Sequence, residues 1–129
     1  MSKSSIFYSN IKLVKKQEVI IEFITLVLIN HKSIKMKKYL IKREIEGASK
    51  IPSSKLDEIG QGSESVLTAM RGEGKQIEQE HSYIAGNNVF CVYNAESEET
   101  IKEHSERAGV PANEITLISS ILEHNTSNN

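Results

Sequence analysis

At 129 residues, 38% hydrophobic and 26% charged, the chain has the size and make-up of one globular domain with room for an extension. A net charge of −1 gives no basic field to draw in nucleic acid. A single cysteine excludes an internal disulfide and a zinc site built on several thiolates, and fits a reducing, cytoplasmic compartment.

The charge is unevenly spread. Residues 1–35 carry +4 and residues 36–129 carry −5. Within the first segment, Val19 to Ile29 is apolar except for Glu22 and Thr25, but its eleven residues fall short of the twenty or so that a membrane span needs. Lys12, Lys15 and Lys16 precede it as in a signal peptide, yet Asn30, His31 and Lys32 follow where small residues would mark a cleavage site. We read residues 1–35 as an N-terminal extension that need not belong to the native domain, with Met36 opening the domain proper. The competing reading is a short helix for packing or for a membrane surface.

Lys37 to Ile45 is short, rich in β-formers and followed by Gly47, which predicts a first strand. Pro52, Ser53 and Ser54 open a helix, with Ser54 as the expected cap. Leu56, Ile59, Val66, Leu67 and Met70 recur at helical spacing, interrupted by Gly60 and Gly62 and ended by Gly72 and Gly74. The Gly72-Glu-Gly-Lys75 run lacks Walker spacing and follows a helix instead of opening one, so it reads as a connector.

Gln76 to Ile84 and Val89 to Tyr93 flank Gly86-Asn87, the signal of a β-hairpin. The second run is apolar at every position and so belongs inside a sheet. Closing the turn on Gly86-Asn87 sets Ile84 opposite Val89, Tyr83 opposite Phe90, Ser82 opposite Cys91 and His81 opposite Val92. His81 and Cys91 then point to opposite faces, and a slip of one residue would bring them together.

Ser97 caps a second helix, with Glu98 and Glu99 in its first turn and Gly109 and Pro111 at its end. Glu98–Lys102 and Glu103–Arg107 are spaced as i,i+4 pairs, and the opposite stripe holds Ile101, His104, Ser105 and Ala108. Glu114 to Leu122 reads as the fourth strand, and residues 123–129 as a polar tail.

The order β-α-β-β-α-β is that of a ferredoxin-like α+β sandwich: a four-stranded antiparallel sheet, spatial order 4-1-3-2, with two helices on one face. That domain spans 36–122. The opposite face carries Phe90, Val92 and Tyr83, an apolar patch that suits a homodimer. Cys91 reads as a small buried hydrophobe and His81 as a half-exposed edge residue. His104, facing the core, needs a partner, which a protein acceptor supplies more often than a metal. No serine-histidine-acid triad, paired-carboxylate site or dinucleotide fingerprint is recognisable, so no catalytic residue is assigned.

Several stretches carry a resemblance. They are Met-Lys-Lys-Tyr-Leu-Ile-Lys-Arg-Glu-Ile-Glu-Gly at 36–47, His-Ser-Tyr at 81–83, Phe-Cys-Val-Tyr-Asn-Ala at 90–95, and Glu-His-Ser-Glu-Arg-Ala-Gly-Val-Pro-Ala-Asn-Glu-Ile at 103–115. Through them the chain resembles the bacterial domain-of-unknown-function family 4242, the small nickel-binding-protein-like domains. Lys42 stands where an acidic residue is common in that family. The resemblance implies a ferredoxin-like homodimer that binds nickel or another divalent transition metal. His81, Cys91 and His104 are the metal-binding candidates that it carries over. Three functions therefore compete: a metal-binding protein without turnover, a small enzyme on this fold, and a protein-interaction module.

Overall fold

The computed structural model describes residues 15–26 and 35–127 of the chain. The chain divides between Lys35 and Met36 into two compact units. In the first, residues 15–26 are helical (α1) and hold the beginning of the apolar run, whose last residues, 27–29, lie outside the described part. No described helix is long and apolar enough to cross a membrane.

The second unit carries β1 (Lys37–Glu44), a 3-10 turn (Ala48–Lys50), α2 (Ser53–Gly72), β2 (Ile77–Ala85), β3 (Asn88–Ala95), α3 (Glu98–Ala108) and β4 (Glu114–Leu117). The sheet order is β2-β3-β1-β4, every pair antiparallel, which is the ferredoxin-like arrangement that the element order predicts. Strand alternation sorts the side chains. Tyr39, Ile41, Cys91, Tyr93, Ala95 and Ile77 share one face and pack with Leu67, Met70 and Ile101 from the helices. Ile41, Met70 and Ile101 are wholly buried. Trimming such a side chain to Ala costs about 2–5 kcal/mol.

The hairpin register is the predicted one from His81–Val92 to Ala85–Asn88. Gly86 opens the turn at φ 61°, where a side chain would strain the backbone. The tip also holds the β1–α2 connection. Asn87 accepts from Ile45 N at 2.8 Å through its carbonyl and from Gly47 N at 2.9 Å through Oδ1. One feature of β2 was not predicted: between Gln79 and His81 the register shifts by an extra residue, a β-bulge.

Three other details differ. α2 starts at Ser53 with Pro52 before it and no side-chain cap, so Ser54 lies inside the first turn. Gly60 and Gly62 do not break α2, because the helix is continuous through them. β4 stops at Leu117, because its partner β1 begins only two residues before Tyr39, which pairs with Leu117. α3 follows the expectation closely. Ser97 Oγ accepts from Thr100 N at 3.2 Å, and Glu98–Lys102 and Glu103–Arg107 form the i,i+4 pairs.

Candidate functional site

The two helices do not cover the sheet equally. Leu67 and Met70 bury the C-terminal half of α2, while in its N-terminal half Leu56 and Ser63 are half-buried and Ile59 is 43% exposed. The small Gly60 and Ser63 above, and Ser82 and Cys91 below, leave a cavity of about 240 Å³ between α2 and the helix face of the sheet. Its other walls include Arg43, Gln79, Tyr93 and aliphatic side chains such as Ile84 and Val89.

A polar chain runs along this wall. Tyr93 Oη donates to Gln79 Oε1 at 3.3 Å, Gln79 Nε2 to Ser82 Oγ at 2.5 Å, and Ser82 Oγ to Cys91 Sγ at 3.1 Å. Burial pushes the Tyr93 phenol above its ordinary pKa, so it remains a neutral donor.

His104 has no exposed surface. Its Nε2 lies 3.2 Å from Ser63 Oγ, and its ring packs at 5.4 Å against Tyr93. Its Nδ1 is buried without a partner among the described residues. Burial holds the imidazole below its ordinary pKa, and the nearby Arg43 charge pushes the same way; a hydrogen bond from the ring to the Ser63 backbone and the charge of Glu64 oppose them. The predicted need for a protein partner is met by Ser63 on one nitrogen only.

Arg43 is a charged residue on the core side of β1, 3% exposed. Its Nη1 donates to Ser105 Oγ at 2.9 Å and to the Pro111 carbonyl at 2.6 Å, and its guanidinium stands 5.8 Å from the Tyr93 ring centre. Its Nη2 has no partner among the described residues. Arg43, Ser63 and Gln79 are the site residues that sequence reasoning passed over. Strand alternation from Tyr39 and Ile41, and the helical step from Ile59, would have found the first two.

His81 is separate from all of these. It is paired with Val92 on the open face, exposed, with its ring edge-on to Tyr83 at 5.1 Å. Asn94 Nδ2 bonds Glu78 at 3.1 Å and Glu80 at 3.0 Å, which brings two carboxylates to the same face, and Lys38 pairs with Glu80. Cys91 and His104 thus lie on the helix side and His81 on the other. Among the described residues no three His, Cys, Asp or Glu side chains gather as a metal cage.

No curated protein matches the chain. A crystal structure of SCO4226 from Streptomyces coelicolor A3(2) matches with a TM-score of 0.53 at 22% identity, over 66% of this chain and 99% of that one. That likeness shows the fold. The family model described as "Nickel responsive protein SCO4226-like" matches residues 39–118. It supports the nickel-related part of the resemblance and not the numbered label 4242 as such. The matched span holds β1 from Tyr39 onward, the other three strands and both α2 and α3, and on it this chain belongs to the SCO4226-like family of nickel-responsive proteins.

Proposed function

We propose that the chain is a small cytoplasmic protein that binds nickel or another divalent transition metal through imidazole, without catalytic turnover. Membership of a nickel-responsive family motivates the reading. The observation that carries it is His81, an exposed imidazole on a face shared with Glu78 and Glu80. Imidazole suits nickel, copper and zinc. One histidine fills only one coordination position. The remainder of the shell comes from carboxylate, water and a second copy of the chain packed on this open face. His104 and Cys91 form a second, enclosed candidate, where a neutral imidazole keeps one nitrogen without a partner. Two sites on opposite faces imply modest affinity and an open coordination position at each.

Nickel titration by calorimetry, on protein without a histidine tag, tests this. His81→Ala weakens binding, His81→Ala with His104→Ala abolishes it, and acidification weakens it in the parent because protons compete for imidazole. A double variant that binds as tightly as the parent rejects the assignment.

The enzymatic reading rests on Ser63 and His104, which stand at a nucleophile-to-base distance beside the cavity. The third group that would orient the imidazole has no counterpart, since Nδ1 meets no acceptor among the described residues. Binding therefore ranks above turnover. Hydrolysis of p-nitrophenyl acetate that disappears in Ser63→Ala would reverse that order.

A further inference from the structure

We infer that the cavity between α2 and the sheet binds a small monocarboxylate with an apolar body, and that Arg43 is the group that recognises its charge. The cavity has two zones. Its rim is partly in water and mainly aliphatic, with Ile59 at 43% and Ile84 at 39% exposure beside the exposed Gln79 and Ser82. Its depth is enclosed and carries the cation, with Arg43, Cys91 and Tyr93 all nearly buried. An apolar body against the rim and a charged head toward the depth would satisfy both zones.

Arg43 sets the sign of that head. Its guanidinium is buried, and no carboxylate of the described residues forms an ion pair with it. Two neutral acceptors and the Tyr93 ring face are what it has, and Nη2 is left unbonded. A buried cation without a counter-charge is costly, and a carboxylate is the anion whose geometry matches the guanidinium fork. One guanidinium with one unbonded nitrogen answers a single negative charge, not a phosphate dianion. Ser63 Oγ adds a neutral hydroxyl to the lining, while the Tyr93 hydroxyl proton is already given to Gln79. At about 240 Å³ the space lies below the range of about 300–1,000 Å³ typical for drug-sized ligands, so the body is short.

The test is independent of the metal reading. The full chain is titrated in the presence of a chelator with hexanoate, hexanamide and hexylamine, followed by calorimetry. Hexanoate is expected to bind at least about tenfold more tightly than hexanamide, as a hydrogen bond to a charged group requires, with hexylamine weakest. Arg43→Met should erase the preference while the melting temperature holds or rises, because an unpaired buried charge is replaced by an apolar chain of similar length. Ile59→Trp, on the exposed rim, should block hexanoate with Arg43 intact, and it decides the matter if Arg43→Met does not fold. The proposal is overturned if hexanoate does not bind, if hexanamide binds equally well, if folded Arg43→Met keeps the preference, or if Ile59→Trp binds hexanoate like the parent.

Discussion

His104 ties the stability of the domain to pH. Burial holds its folded pKa below the unfolded value of about 6.5, so below that pH the unfolded chain takes up a proton that the folded one resists. Its contribution is complete above about pH 6.5 and falls as pH drops below it, by at most about 1.4 kcal/mol per pH unit. Urea unfolding at a series of pH values from about 7.5 to 5.5 should show that slope, and His104→Gln should flatten it. Equal slopes in both proteins would refute the account. Glu73 and Glu103 titrate in a separate window. Arg107 for the first and Lys75 for the second hold the carboxyl below its ordinary 4.5, so their contributions disappear only at lower pH. The position of His104 could be read from its stripe with Ile101 and Ala108. Its partner could not, because Ser63 lies 41 residues away on another helix.

The sheet shows what local pattern can and cannot specify. A turn glycine and an unbroken apolar run were enough to set the hairpin register and the inner place of β3. The bulge was hidden, because Gln79-Glu80-His81 contains no glycine or other irregular signal. Arg43 was hidden by its charge, although alternation puts it on the core side with Tyr39 and Ile41. The open face is less bare than a list of its residues suggests. Val92 is only 8% exposed, at the centre of a row running from Leu40 to His81, while Leu40 is 38% and Tyr83 63% exposed. We propose this face as the homodimer contact. Leu40→Glu with Tyr83→Glu should sediment as monomer with unchanged far-ultraviolet circular dichroism, since neither side chain belongs to the core. A dimer that survives both changes places the contact elsewhere.

At the scale of the whole chain, the composition break and the division into two units fall at the same place, between Lys35 and Met36. Among the described residues, the buried apolar side chains of the core lie between Tyr39 and Ile101, and the family match begins at Tyr39. We propose residues 1–35 as an extension that the domain does not need for folding. A chain beginning at Met36 should melt at the same temperature as the full chain, and a large fall on truncation would show that the extension packs into the fold. Residues 123–127 of the proposed polar tail are irregular and exposed, and residues 128–129 lie outside the described part.

The bulge at Glu80 gives β2 one residue more than its pairing uses. Gln79 and His81 face consecutive residues of β3, Tyr93 and Val92, so Glu80 is supernumerary in the ladder. Without it, strict alternation would still turn Ile77, Gln79, Ser82 and Ile84 toward the helices and Glu78, His81 and Tyr83 away from them. The strand thus contains a built-in allowance for a change in length. One residue can be removed at position 80 with the inside and outside of the hairpin preserved. Shortening instead at Ser82, with Ile84 held in place, would carry the His81 imidazole across the sheet to the side of Cys91. Parity of the residue count between His81 and the turn therefore decides whether imidazole and thiol share a face.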